Sequence, residues 1–324
     1  MAGRLEVRRW LRLGAPLYAV ALSSDGQFVA VGSEKGPLLF NVAGEMVLAP
    51  SAHQIALPVR QVALSPAADC LSVGTRTGKV LQLALERSDG QFAVRQVESL
   101  YTANNDIHTM SVSDDQQWIA VGHLSPALSV LNAEGQIQWR RHSDDGTATE
   151  GDNWSVAIDF TGQSMYVGSA GAGSNRLAAI GLTDQRLYGS RYLAPGLRAT
   201  ALAALNDGMV VVQTDSASID SELVKFTPDL SDLVWRFAPE DTVTALATPT
   251  GDAAKAATAA LAAVACGYEG RVMLLDAGNG AIMAETTLRV GVNALALAQG
   301  RVVAAVTQDD ALALLHYVPE EFRL

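Results

Sequence analysis

The stretch YAVALSSDGQFVAVGS, residues 18–33, decides how the chain reads. Two short runs of alternating apolar residues flank Asp25-Gly26, a pair suited to a hairpin turn that needs positive φ. Close copies follow as VRQVALSPAADCLSVGT, residues 59–75, and NWSVAIDFTGQSMYVGS, residues 153–169. Anchoring each copy on the large apolar residue that ends its first run gives Leu22, Leu64, Val112, Ile158, Leu202, Leu246 and Leu295. The spacings are 42, 48, 46, 44, 44 and 49 residues, the period of one four-stranded propeller blade. Seven anchors predict seven blades.

The residue before each anchor is Ala21, Ala63, Ser111, Ala157, Ala201, Ala245 or Ala294. Side chains alternate across a strand, so this small column faces one side while the anchors face the other. Innermost strands converging on a narrow channel require such a column. The seventh copy ends with three strands near Val318, whereas RLEVRRWLRL, residues 4–13, precedes the first copy without a partner. Its alternating Leu5, Val7, Leu11 and Leu13 predict an outer strand that joins the last blade and closes the ring, with Arg4, Arg8 and Arg12 on the solvated face. Residues 143–153 and 250–260 are polar or alanine-rich insertions, read as loops. Residues 1–324 are expected to form one all-β, seven-bladed domain.

The composition is 49% hydrophobic and 18% charged, enough apolar material for a large core. A net charge of −11 argues against bulk nucleic-acid binding and repels anionic membranes. No run reaches the roughly 20 apolar residues of a membrane span, and the N-terminus lacks a signal-peptide core. Cys70 and Cys266 lie in apolar runs and read as buried free thiols. A cytoplasmic protein is expected.

With its copies of VALSxDGxxVAVGSxxG the chain resembles the WD40-type β-propellers in a degenerate bacterial form. Phe40-Asn41, Leu131-Asn132 and Leu275-Asp276 are similar to weakened Trp-Asp dipeptides, and no blade carries a true one. Trp139 in GQIQWRR and Trp235 in LVWRF are similar to outer-strand tryptophans of quinoprotein-type propellers.

Propellers of this kind bind at the face where the innermost strands begin. The position four before each anchor holds Tyr18, Arg60, His108, Trp154, Arg198, Thr242 and Gly291. Arg60 and Arg198 suit a forked contact to an acidic group, and Tyr18 and Trp154 offer flat contact surface. Tyr18, Arg60, His108, Trp154 and Arg198 are therefore the expected partner-binding residues. The loops expected around the channel mouth carry His123 among a majority of acidic residues, which favours a partner with basic or mixed-charge segments. The ring offers no inward carboxylates for a metal, and the five histidines are dispersed. Neither a phosphate-binding loop nor a catalytic triad can be placed. The expectation is a non-catalytic protein-interaction scaffold, without cofactor or metal, serving as a subunit of a larger assembly. The alternative is a small-molecule-binding or hydrolytic propeller that uses the same channel.

Overall fold

The computed structural model describes residues 3–48, 55, 58–103, 105–123, 127–142, 153–159, 162–170, 176–205, 207–215, 220–249, 261–298 and 301–319. All regular structure among them is β. Seven sheets of four antiparallel strands follow one another around a central axis. The innermost strands are Leu17–Leu22, Val59–Leu64, Ile107–Val112, Asn153–Ile158, Leu197–Leu205, Val243–Ala247 and Val292–Ala298. Blades 1 to 6 each use four consecutive strands. Blade 7 is completed by the N-terminal strand, Gly3–Arg12, which pairs antiparallel with Ala311–Pro319. The expected closure is therefore present. The insertions at 143–152 and 250–260 lie outside the described residues.

The reason for the repetition lies in the core. Buried apolar residues fall into seven clusters, one at each blade–blade interface. Each sheet is apolar on both faces and must bury both, so every blade needs two neighbours. Val29, Val31 and Phe40 of blade 1 meet Ala304, Val306 and Leu314 of blade 7 in one such cluster.

The N-terminal strand serves two interfaces. Leu5 packs between blades 6 and 7, whereas Leu11 and Leu13 pack between blades 7 and 1. The sequence suggested one shared apolar face. A bulge between Val7 and Arg9 shifts the register and reverses the alternation, leaving Val7 exposed. Glu6 pairs with Arg4 and Arg8, and Arg12 pairs with Asp309 at 3.6 Å.

The SSDG of the opening stretch builds the hairpin between first and second strands. Ser23 Oγ donates to Asp25 Oδ1 at 2.6 Å and accepts from the Phe28 amide at 3.0 Å. Ser113 and Asp115 repeat this in blade 3, and Ser65 with Asp69 does so in blade 2. The turn closes at a positive φ, taken by Gly26 in blade 1 and by Gln116 in blade 3.

Outer strands are fastened to the next blade. Trp139 of blade 3 donates its indole proton to Leu182 O of blade 4 at 3.1 Å, and Trp235 of blade 5 donates to Ala277 O of blade 6 at 2.9 Å. Arg191 of blade 4 reaches Ser231 O of blade 5, and Arg9 of blade 7 reaches Ala43 O of blade 1. The two tryptophans thus stand in outer strands as read, and each joins neighbouring blades.

Candidate functional site

Strand pairing fixes which residues share a level in the channel. In blades 1, 2 and 3 a bulge leaves Tyr18, Arg60 and His108 between two paired positions at the start of the innermost strand. A bulge re-aims the unpaired residue's side chain. In blades 5, 6 and 7 the same bulge falls on Thr200, Thr244 and Asn293. Arg198, Thr242 and Gly291 therefore lie two positions earlier than the ring assigned to them by the sequence. The repeated alternation of leucine and small residues in blades 5 to 7 explains the slip. A shift of two keeps every side chain on its own face, and Leu202, Leu246 and Leu295 read as anchors where the equivalents of Leu22 are Ala204, Thr248 and Leu297. The true equivalents of Ala21 in those blades are Ala203, Ala247 and Ala296, so the small column persists at its corrected positions.

Arg198 is exposed and pairs through its backbone with Thr214. In blade 4 the register runs through without interruption, and Trp154 pairs with Ser169, matching Leu17 and Val59 rather than Tyr18. The side chain of Trp154 lies outside the described residues.

Tyr18, Arg60 and His108 are brought together across three blades. The Tyr18 hydroxyl donates to Glu34 Oε2 at 2.6 Å, and the Arg60 guanidinium stacks 4.7 Å from the centre of the Tyr18 ring. The hydrogen bond to Glu34 raises the Tyr18 pKa, helped by burial and opposed by the charge of Arg60. Burial lowers the pKa of His108, the Arg60 charge adds to this, and Asp106 opposes it. Asp106 also lies 3.9 Å from Arg76. Gln61 ties the second blade to the third by donating to His108 O at 3.0 Å.

Below this rim lies a polar chamber of about 360 Å³. Its polar side chains are mostly spent on the protein itself. Asn293 donates to Leu17 O, Ser155 to Ala199 O and Thr200 to Val212 O. Arg60 differs. Among the described residues its half-buried guanidinium makes no hydrogen bond and no ion pair, in a chain with 34 acidic residues.

The floor of the chamber is an apolar collar. Val20, Val62, Met110, Val156, Leu202, Leu246 and Leu295, one residue per blade at matching register, line both this chamber and a second cavity of about 280 Å³ on the hairpin side. Sequence reading missed the collar, because the slipped register mixed two levels. The alternation carries the signal once blades 5 to 7 are shifted by two.

His123, expected in a loop at the mouth, is buried between blades 2 and 3. Its Nε2 lies 3.2 Å from the Tyr101 hydroxyl, which accepts from Arg140 at 3.0 Å. Burial and Arg140 hold His123 neutral, with its pKa lowered to about 4. Burial raises the thiols of Cys70 and Cys266 to about 11 and about 12. Cys266 is fully buried as expected, whereas Cys70 is only partly so. Among the described residues no group of three His, Cys, Asp or Glu side chains is placed to hold a metal ion. No helix among the described residues is long and apolar enough to cross a membrane.

No family model matches the chain, and no curated protein matches it in sequence. A chain in the crystal structure titled "Crystal Structure of Mitotic Checkpoint Complex" has a similar fold. The TM-score is 0.73 at 14% identity, over 97% of this chain and 95% of that one. At this identity the likeness is one of fold: a seven-bladed propeller, in a protein solved as part of a complex.

Proposed function

We propose that the protein is a non-catalytic, WD40-like interaction scaffold of the cytoplasm, a subunit of a larger assembly that grips a partner segment at the Tyr18 face. Arg60 carries the proposal. A partly buried guanidinium held flat against an aromatic ring, with no acceptor of its own, is preorganised for a carboxylate presented by another molecule. Tyr18 supplies the platform, Glu34 fixes the Tyr18 hydroxyl, and His108 forms the opposite wall. Loop acids such as Glu34 and Asp106 add contacts for basic residues that flank the partner's acidic anchor. The occurrence of a similar propeller within a multiprotein complex supports a protein partner in general. The polar chamber beneath the Tyr18 and His108 rim favours, as a second reading, a small anion that reaches up to the same guanidinium.

Affinity purification from the native host, with a C-terminal tag, tests the proposal. Truncating one partner of a buried charged pair costs about 2 kcal/mol or more, roughly a 30-fold loss of affinity. A stoichiometric partner recovered with the unaltered protein and with Arg198→Ala, and lost with Arg60→Ala, is the expected result. Equal recovery with Arg60→Ala overturns the assignment. A monomer without partner, whose chamber binds a small carboxylate only while Arg60 is present, moves the function to the second reading.

A further inference from the structure

We propose that the hairpin-side mouth of the channel is a second binding site, which takes a partner segment presenting a bulky apolar side chain flanked by lysine or arginine. The collar at Met110 lies between this cavity and the chamber at the other mouth, and its seven residues line both. Most of the cavity's lining side chains are apolar, and the layer above the collar is the small column, with Ala21 and Ala157 among its members. Such a throat loses little by giving up its water to an aliphatic or aromatic side chain. The next layer is uneven. Leu22, Leu64 and Ile158 narrow it on one side, whereas blades 5 and 6 place Ala204 and Thr248 at the same level. The entrance therefore opens toward blades 5 and 6.

The rim supplies the charge. Asp114 and Asp159, from adjacent blades, line the mouth, and no lysine or arginine does so among the described residues. Asp159 accepts the amides of Gln163 and Ser164, which holds its carboxylate in place. Gln116 stands on the same side. Its Nε2 donates to Ser113 O at 3.1 Å, while its Oε1 is buried without a donor. Its backbone is left-handed, at φ 60°, a conformation that costs a non-glycine residue about 1 kcal/mol. Two carboxylates at one mouth match a cation rich in N–H groups. These carboxylates have the opposite sign to the Arg60 guanidinium at the other mouth.

Methyl NMR on the full chain, with ¹³C-methyl methionine, tests the site, because Met110 looks into the throat. The probe is acetyl-Gly-Lys-Phe-Lys-Gly-amide, compared with its counterpart in which both lysines are glutamates. At roughly 2 mM the basic peptide is expected to move the Met110 resonance saturably, and to bind about tenfold or more tightly than the acidic one. Asp114→Asn and Ala204→Leu should each weaken it at least about fivefold; the second adds a side chain that five other blades already accommodate in kind. Binding should persist in Arg60→Ala, which separates this site from the one proposed above. An unmoved Met110 resonance, equal affinity for the two peptides, or loss of binding in Arg60→Ala each overturns the proposal.

Discussion

Lys225 is among the largest fully buried side chains of the described residues, and its carboxylate partner stands in solvent. Its three ammonium protons meet Asp207 Oδ1 at 2.8 Å, Asp207 Oδ2 at 2.7 Å and, across the interface to blade 6, Ala277 O at 2.8 Å. The side chain of Lys225 is 1% exposed and that of Asp207 66%. The two halves of the pair are therefore unequal. Asp207→Ala leaves a buried charge with one acceptor, a situation that costs about 3–5 kcal/mol when no water can enter. Water reaches the Asp207 side, so we expect the lower end, about 2–3 kcal/mol. Lys225→Met removes the charge, returns Asp207 to water, and leaves Ala277 O bonded to the Trp235 indole. It should lie within about 1 kcal/mol of the unaltered protein. In the double variant the Asp207 change should add nothing further. Urea unfolding, followed by tryptophan fluorescence at constant m, reads all three. If Lys225→Met proves as costly as Asp207→Ala, the ammonium is a net stabilising bridge between blades 5 and 6 and this reasoning is wrong.

The two latching tryptophans give a matched pair. Trp139→Phe leaves Leu182 O without its indole donor, whereas Trp235→Phe leaves Ala277 O with Lys225. Trp139→Phe should cost about 1 kcal/mol more by denaturant unfolding, and equal losses would show that packing alone decides. His123 predicts a pH dependence. Its folded pKa, about 4, lies below the ordinary value of 6.5. The unfolded chain therefore takes up a proton first, and stability falls as pH drops from 6.5 toward 4. Between pH 7 and 4.5 this group should cost about 2–3 kcal/mol. His123→Ser, which installs the residue type found at Ser33, should remove that part of the pH slope; an unchanged slope would assign it to the carboxylates.

Blade count, period and ring closure were legible because each depends on alternation and spacing, which survive without coordinates. Register in blades 5 to 7 was not. A shift of two preserves both faces, so the large Leu202 and Leu246 read as anchors where Ala204 and Thr248 hold that level, and the bulges at Thr200, Thr244 and Asn293 set the true register. Arg60 was legible as a candidate, but its lack of an acceptor was not, since that depends on where Glu34 and Asp106 spend their charge. His123 was misplaced for a related reason. It occupies the position held by Ser33 and Thr75, and Tyr101, distant in sequence, turns that position into an interior one.

The strand Gly3–Arg12 leaves the ribosome well before its partner and cannot pair until Ala311–Pro319 has been made. At ordinary synthesis rates the roughly 300 intervening residues take on the order of 15–60 s. Throughout that interval the strand carries two open edges, and its charged residues Arg4, Glu6, Arg8 and Arg12 keep those edges from pairing with other nascent chains. Blades 1 and 6 wait as well, each with one apolar face uncovered, because the cluster that joins blade 1 to blade 7 and the one that joins blade 6 to it both need the last strands. A stop codon before residue 311 would therefore do more than shorten the chain by one blade: it would release an open arc with a sticky face at each end.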